Sequence, residues 1–295
     1  MVIITGATGN IGQVIVKTLL ARGKAVRAIA RDSERLRELG ALGADIAAGS
    51  VKDSGFLSEA FHGASSVFIL NPPNLQAESL LKYQNSISDA FVAGLEKAGV
   101  SHVVNLSSLG AEHSLGTGPI VGLHFQEEKL NRLKGMHVLH LRPAFFMENL
   151  LANIPLIKDM GINGLAMNAD VPLPMIATRD IAMAASEHLV DLNFKGKTIR
   201  YLLGSRDLSM REATAILGRS IGNPDLPCVQ FPYQDAIQGM TRAGIGPDVA
   251  KAFAEMGEAV NNGLITPIIR TAENTTPTSF EEFADTIFAP AFRSF

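Results

Sequence analysis

Residues 120–130 read IVGLHFQEEKL, and this stretch carries a histidine and a glutamate four positions apart. On a helix, His124 and Glu128 would lie on one face, one turn from each other. Imidazole titrates near neutral pH, so His124 could donate a proton to a substrate or hydrogen-bond a cofactor. Glu128 could orient the imidazole, or it could pair with Arg132 at the surface. The pattern therefore allows either a catalytic pair or an ordinary polar stripe.

A glycine-rich turn opens the chain, where residues 4–13 read ITGATGNIGQ. Its glycines fall between a predicted strand and a predicted helix, the context in which this motif binds a dinucleotide. Small residues permit the tight turn and let backbone N–H groups and the positive helix end approach a pyrophosphate. An incidental glycine-rich turn is the alternative. We predict that the cofactor contacts here come from Gly6, Thr8, Gly9, Asn10, Ile11 and Gly12.

The end of the second predicted strand reads AIARDSERL. An NAD-specific site usually carries a carboxylate here for the ribose 2′-hydroxyl, but Ala30 is neutral and Arg31 follows it. A guanidinium can bind a 2′-phosphate through charge-assisted hydrogen bonds. The sequence therefore favours NADP over NAD, which would bind with weaker affinity. Alternatively, Arg31 is a solvated charge and Asp32 caps the next helix.

Three further predicted strands end in residues that we expect near the same ligand. Ser50 and Val51 follow the third strand, where such folds contact adenine. Asn71 and Pro72 follow the fourth, near the expected path of the ribose and nicotinamide. Ser107 ends the fifth, where it could bind cofactor or substrate or simply cap a local turn.

The elements that position these residues alternate between short β-branched runs and longer helical patterns, which predicts a parallel sheet covered on both faces. We predict an α/β fold: a Rossmann-type doubly wound sheet with a smaller C-terminal α+β lobe. The nucleotide-binding domain spans residues 1–145 and the substrate lobe residues 146–295, parts of which can return to the sheet. The predicted strands are 2–5, 25–30, 44–48, 66–70, 102–107 and 137–142, with a brief one at 198–203 in the second lobe.

Composition narrows the possible partners. The 295 residues carry a formal net charge of −3, with 46% hydrophobic and 19% charged residues, and no basic run or membrane-length apolar run. We expect no nucleic-acid partner and no membrane span. The single cysteine, Cys228, fits a reducing compartment, so we expect a cytoplasmic protein. The histidine spacing predicts no metal site.

Several segments together resemble the NmrA-like family of atypical short-chain dehydrogenases/reductases. They are GATGNIG, VRAIAR, HFQEEKL and HLRPAFFMENL, and the motifs are most similar to those of type 2 NAD(P)H quinone oxidoreductases. The resemblance implies a Rossmann domain followed by a smaller lobe. It also implies that His124 and Glu128 match an H-x-x-x-E pattern of that group, with His124 in the place of the usual lysine.

The tyrosine mechanism of common short-chain reductases is absent from the sequence. It needs a lysine four residues after a tyrosine, and none of Tyr83, Tyr201 and Tyr233 has one. An electrophilic acceptor needs orientation more than a strong acid. We therefore expect an enzyme, monomeric or homodimeric, that transfers hydride from NADPH to a small aromatic, quinone-like or azo acceptor without flavin, with His124 as the catalytic residue.

Two alternatives remain open at the level of sequence. The chain could be an NADP(H) redox sensor without turnover, in which nucleotide occupancy changes the affinity for a protein partner. It could also be an isoflavone-reductase-like enzyme. The relatives of that type carry a catalytic lysine where this chain has His124, which counts against this alternative.

Overall fold

The computed structural model describes residues 1–265 and 268–295. Within them, seven parallel strands form a central sheet in the order β3-β2-β1-β4-β5-β6-β10. The strands β1 to β6 all fall where the sequence predicts strands, so the Rossmann-type α/β fold is confirmed. Their bounds, together with that of β10, are β1 Val2–Thr5, β2 Val26–Ala30, β3 Asp45–Ala48, β4 Ser66–Leu70, β5 His102–Leu106, β6 His137–Pro143 and β10 Lys197–Leu202.

β10 belongs by sequence to the predicted second lobe, yet it extends the central sheet by pairing in parallel with β6. The smaller strands lie in two further sheets, one of β7, β9 and β11 and one of β8 and β12. These strands are β7 Phe145–Phe146, β8 Asn163–Leu165, β9 Leu173–Ile176, β11 Asp207–Leu208 and β12 Cys228–Gln230.

Helices cover both faces of the central sheet, as the pattern predicts. Those of the first half are α1 Asn10–Ala21, α2 Ser33–Ala41, α3 Ser54–Ala60, α4 Leu80–Ala98 and α5 Val121–Asn131. Those that follow are α6 Ile154–Met160, α7 Thr178–Asp191, α8 Met210–Ser220, α9 Tyr233–Arg242, α10 Pro247–Asn261, α11 Phe280–Phe283 and α12 Ala289–Ser294. Short 3₁₀ helices span Gly118–Ile120 and Met147–Asn153, and a π-helical turn spans Ala284–Phe288.

Each layer buries its own apolar residues. On one face of the sheet, α1 and α7 contribute Ile15, Leu19 and Ile181 to the core. On the other face, α3, α4 and α5 contribute residues such as Leu57, Phe91 and Leu130. The second lobe has a separate core, which includes Met147, Leu217, Phe280 and Phe288. Because the sheet is packed on both faces, the carboxyl ends of its strands, from which the loops start, are held in place.

Candidate functional site

The glycine turn after β1 is built so that the chain can pass very close to itself. Gly6 has φ +61°, and a Cβ on Gly12 would lie 2.2 Å from the carbonyl oxygen of Gly6. The turn is tied to β2 because the amide of Ala7 donates to the carbonyl of Ile29 at 3.0 Å. A side chain at Gly12 would therefore push helix α1 away from the turn, whereas one at Gly6 would be strained by the positive φ and would meet Leu70.

The amino end of α1 leaves backbone donors without an acceptor in the helix. Gly9 is the N-cap and supplies no side-chain cap. The amide of Gln13 makes the first helical bond, to the carbonyl of Gly9 at 3.0 Å, so the amides of Asn10, Ile11 and Gly12 have no acceptor within the helix. Together with the positive helix end, these donors suit an anion.

The charged residues after β2 differ in their contacts. Asp32 caps α2, since its carboxylate accepts hydrogen bonds from the amides of Glu34 and Arg35. Arg31 is exposed beside it. Arg35 reaches back to the glycine turn, donating from Nη2 to the carbonyl of Thr8 at 2.8 Å. Sequence reasoning missed Arg35, although its place one helical turn after Arg31 is a usable signal.

A first cavity, which we name the basic cavity, opens beside the ends of β2, β3 and β4 and has a volume of about 530 Å³. Lys52 lies 4.5 Å from the centre of the Tyr83 ring. Burial raises the pKa of Tyr83, and the charge of Arg31 opposes part of that rise. The lining brings together the predicted residues Arg31, Ser50, Val51 and Pro72. It also includes Lys52, Tyr83 of α4 and, from a loop of the second lobe, residues 243–245.

A second cavity, the apolar cavity, has a volume of about 490 Å³ and lies between the ends of β4, β5 and β6 and the second lobe. Among the described residues that line it, none has an ionisable side chain. Its polar members are Asn71, Ser107, Ser108 and Asn149. The remaining lining residues are Leu70, Leu106, Leu109, Ile120, Leu123, Ala144, Phe145, Phe146, Met167, Val171, Pro172, Leu173, Pro174, Met256, Val260, Gly263 and Ile265.

A chain of buried amides lies behind Asn71. Its Nδ2 donates to Gln126 at 3.2 Å, whose own Nε2 donates to the Oδ1 of Asn105 at 2.6 Å. The Nδ2 of Asn105 contacts the Nδ1 of His140 at 3.0 Å, and burial lowers the pKa of His140 to about 4, with the Glu127 charge opposing. The imidazole is therefore neutral and accepts that bond. The Oδ1 of Asn71 is left as a buried acceptor without a partner in the described residues.

A buried ion pair lies behind Ser107. The hydroxyl of Ser107 donates to Oε1 of Glu127 at 2.5 Å. Arg142 donates to both oxygens of Glu127, at 3.0 and 2.6 Å, and its Nη1 also donates to Glu112 at 2.9 Å and to Tyr201 at 3.0 Å. Burial lowers the pKa of Arg142, but its bonds to Glu127 and Tyr201 outweigh burial and raise it overall.

His124 and Glu128 do not form the pair that their spacing allows. Nδ1 of His124 donates to the carbonyl of Ala111 at 2.9 Å. Glu128 contacts Arg132 at 3.6 Å, and these side chains are 50% and 77% exposed, so Glu128 takes the surface alternative. His124 is half-buried and lines neither cavity, whereas its neighbour Leu123 lines the apolar cavity. A proton-donor role for His124 stays a prediction.

The structure thus groups most of the predicted residues along one sheet edge. The glycine turn precedes α1, the basic cavity takes Arg31, Ser50, Val51 and Pro72, and the apolar cavity takes Asn71 and Ser107. Sequence reasoning missed Glu127, Arg142 and Arg35. In the part of the chain that the structure describes, no helix is long and apolar enough to cross a membrane, and no cluster of metal-ligating side chains is found.

The glycine turn and the parallel sheet define a Rossmann-type α/β protein. The chain belongs to the NmrA-like family, whose profile matches residues 1–284, and the predicted resemblance is confirmed.

Similar proteins include reductases of several kinds. A (4-alkanoyl-5-oxo-2,5-dihydrofuran-3-yl)methyl phosphate reductase of Streptomyces griseus is 28% identical, covering 97% of this chain and 96% of that protein. An NAD(P)H azoreductase of Xenophilus azovorans is 27% identical with the same coverage of each. The structure of the NADPH-dependent quinone oxidoreductase QOR2 of Escherichia coli matches with a TM-score of 0.80 at 20% identity, covering 98% of this chain and all of that one.

Proposed function

We propose that this protein is an NADPH-dependent reductase that transfers hydride to an uncharged, flat and largely apolar acceptor, of quinone-like or azo type, without flavin. The observation that carries the proposal is the apolar cavity, which adjoins the glycine turn through Leu70 and has no ionisable side chain among its described lining residues. The names of similar proteins, an NAD(P)H azoreductase and a quinone oxidoreductase, support the class of reaction.

The predicted site residues fit a dinucleotide that carries a 2′-phosphate. The amides at the start of α1 would hold the pyrophosphate, and the lack of a Cβ on Gly12 lets α1 pack against the turn that precedes these amides. Arg31 would bind the 2′-phosphate, with Ser50 and Val51 beside the adenine. The unpaired Oδ1 of Asn71 would accept from the nicotinamide half. NAD, lacking the 2′-phosphate, would bind more weakly. When bound, the cofactor supplies the hydride.

The apolar cavity should select acceptors by charge. Burying a phosphate or sulfonate without a paired cation is unfavourable, and none of its described lining residues offers a cation. Thr266 and Pro267 lie beyond the described residues next to Ile265, but neither residue type is ionisable. We therefore favour acceptors without the phosphate carried by the substrate of the Streptomyces relative. The anion formed when hydride reaches an electrophilic acceptor can take its proton from water, so the cavity needs to supply orientation rather than a proton donor.

The test is nucleotide oxidation by the purified protein with a panel of benzoquinones, naphthoquinones and azo dyes, run with NADPH and with NADH. The proposal predicts saturable turnover that prefers NADPH. Tight NADP(H) binding without turnover of any acceptor would contradict it and favour the redox-sensor alternative. The single cysteine is consistent with a cytoplasmic location for such an enzyme.

A further inference from the structure

Ser107 is the polar side chain of the apolar cavity whose hydrogen-bonding state is most strongly determined by its surroundings. It is 3% exposed, and its amide donates to the carbonyl of Leu141 at 2.8 Å, which fixes the backbone. Its hydroxyl lies 2.5 Å from Oε1 of Glu127. Hydrogen bonds therefore hold both the backbone and the hydroxyl group of Ser107.

The partner of this hydroxyl is a carboxylate that can only accept. Arg142 occupies both oxygens of Glu127, and the two side chains are each 6% exposed. An ionised carboxylate has no proton to give, so the hydroxyl proton of Ser107 points at Glu127. The lone pairs of the Ser107 oxygen are then left to accept a hydrogen bond from a ligand in the cavity.

We propose that Glu127 is a positioning residue that holds Ser107 as a hydrogen-bond acceptor for an N–H or O–H group of the bound ligands. This rests on the proposed function, in which the nicotinamide and the acceptor meet in the apolar cavity. Two groups carry the required chemistry: the carboxamide of the nicotinamide and a hydroxyl on the acceptor. The neighbouring Ser108 differs, because its hydroxyl donates to the carbonyl of Leu109 at 2.9 Å and has no carboxylate behind it.

The experiment uses two ligand pairs that differ by one donor. The first is NADP⁺ and its 3-acetylpyridine analogue, which keeps the carbonyl but lacks the amide hydrogens; binding is measured by calorimetry and needs no turnover. The second is a hydroxymethyl-benzoquinone and the matching ethyl-benzoquinone, compared by kcat and KM. The wild-type protein should prefer the donor-carrying member of one pair, and that pair shows whether the nicotinamide or the acceptor supplies the hydrogen bond to Ser107.

Ser107→Ala should remove that preference, a change of about fivefold to tenfold, while Ser107→Thr should keep it. Glu127→Gln retains an acceptor for Ser107 and should also keep the preference, whereas Glu127→Met should lose it. Ser108→Ala, the matched control, should behave as wild type. If Glu127→Met does not fold, the Ser107 variants still decide.

The proposal is overturned if the wild type shows no preference within either pair, or if Ser107→Ala keeps the wild-type preference. Failure of the proposed function is a different result: wild-type protein that turns over no acceptor, in which case the calorimetric pair still tests Ser107.

Discussion

The basic cavity and the apolar cavity open from the same sheet edge, yet their linings differ in charge. The basic cavity gathers Arg31 and Lys52 around Tyr83. Behind Ser107 of the apolar cavity, the charges of Glu127 and Arg142 are paired and buried. A parallel sheet brings the loops that follow its strands to one edge without fixing their chemistry. Under the function that we propose, this difference would place the 2′-phosphate end and the nicotinamide end of NADPH at opposite ends of that edge.

The largest effect is expected at the glycine turn, which lies beside Leu70 of the apolar cavity. Gly12→Ala places a Cβ 2.2 Å from the backbone oxygen of Gly6, so α1 must move away from the turn. We expect loss of detectable nucleotide binding and a loss of about 1–3 kcal/mol in unfolding free energy. Calorimetry and thermal unfolding measure both. Gly239→Ala is the control, since open space surrounds that helical glycine, and it should bind nucleotide normally.

Acid should weaken the polar chain behind the apolar cavity. The pKa of His140 falls from 6.5 to about 4 on folding, chiefly through burial. The unfolded chain therefore binds more protons between these values, and stability falls as pH drops through that window, by at most about 3 kcal/mol. Denaturant unfolding at several pH values measures this. His140→Asn should flatten the dependence, whereas the exposed His62→Asn should not; equal slopes in all three proteins would contradict the prediction.

Removing charge from the basic cavity should affect one cofactor only. Arg31→Ala should weaken NADPH by about tenfold to a hundredfold, the range for a charge-assisted hydrogen bond, and leave NADH nearly unchanged. Dissociation constants for both nucleotides provide the measurement. Arg37→Ala is the matched control, because Arg37 lies on α2 and pairs only loosely with Glu34, at 3.9 Å. Equal weakening of both nucleotides would remove Arg31 from 2′-phosphate binding.

Adding charge to the apolar cavity should make it more like the basic one. Asn149 is exposed and lines that cavity. Asn149→Lys should lower KM for a sulfonated quinone by about threefold, as expected for a solvent-screened ion pair, with little change for the neutral parent. Asn149→Gln serves as the uncharged control. Identical effects of lysine and glutamine would show that charge at this position is irrelevant.

The smallest effect is expected at His124. Because its ring bonds the carbonyl of Ala111 and lines neither cavity, His124→Ala should change acceptor turnover by less than about threefold. Steady-state kinetics at saturating NADPH provide the test. A loss of tenfold or more with unchanged nucleotide affinity would restore His124 as a proton donor.

Local signals made the fold and the cofactor loop predictable. The glycine turn depends on backbone space within one strand-turn-helix unit, and the strands up to β6 show clear periodicity. The pair Glu127 and Arg142 could not be foreseen, because it joins α5 to β6 through tertiary packing. For the same reason the spacing offered Glu128 as one possible partner of His124, whereas in the structure Glu128 lies at the surface and contacts Arg132. The apolar cavity depends on how the second lobe packs, which no local pattern encodes.

The most direct measurement of the central claim is NADPH oxidation with a neutral naphthoquinone and its sulfonated counterpart, compared by kcat/KM on the wild-type protein. The account predicts saturable turnover of the neutral quinone and much weaker turnover of the anion. Preference for the sulfonated quinone, or tight NADPH binding with turnover of neither, would contradict it.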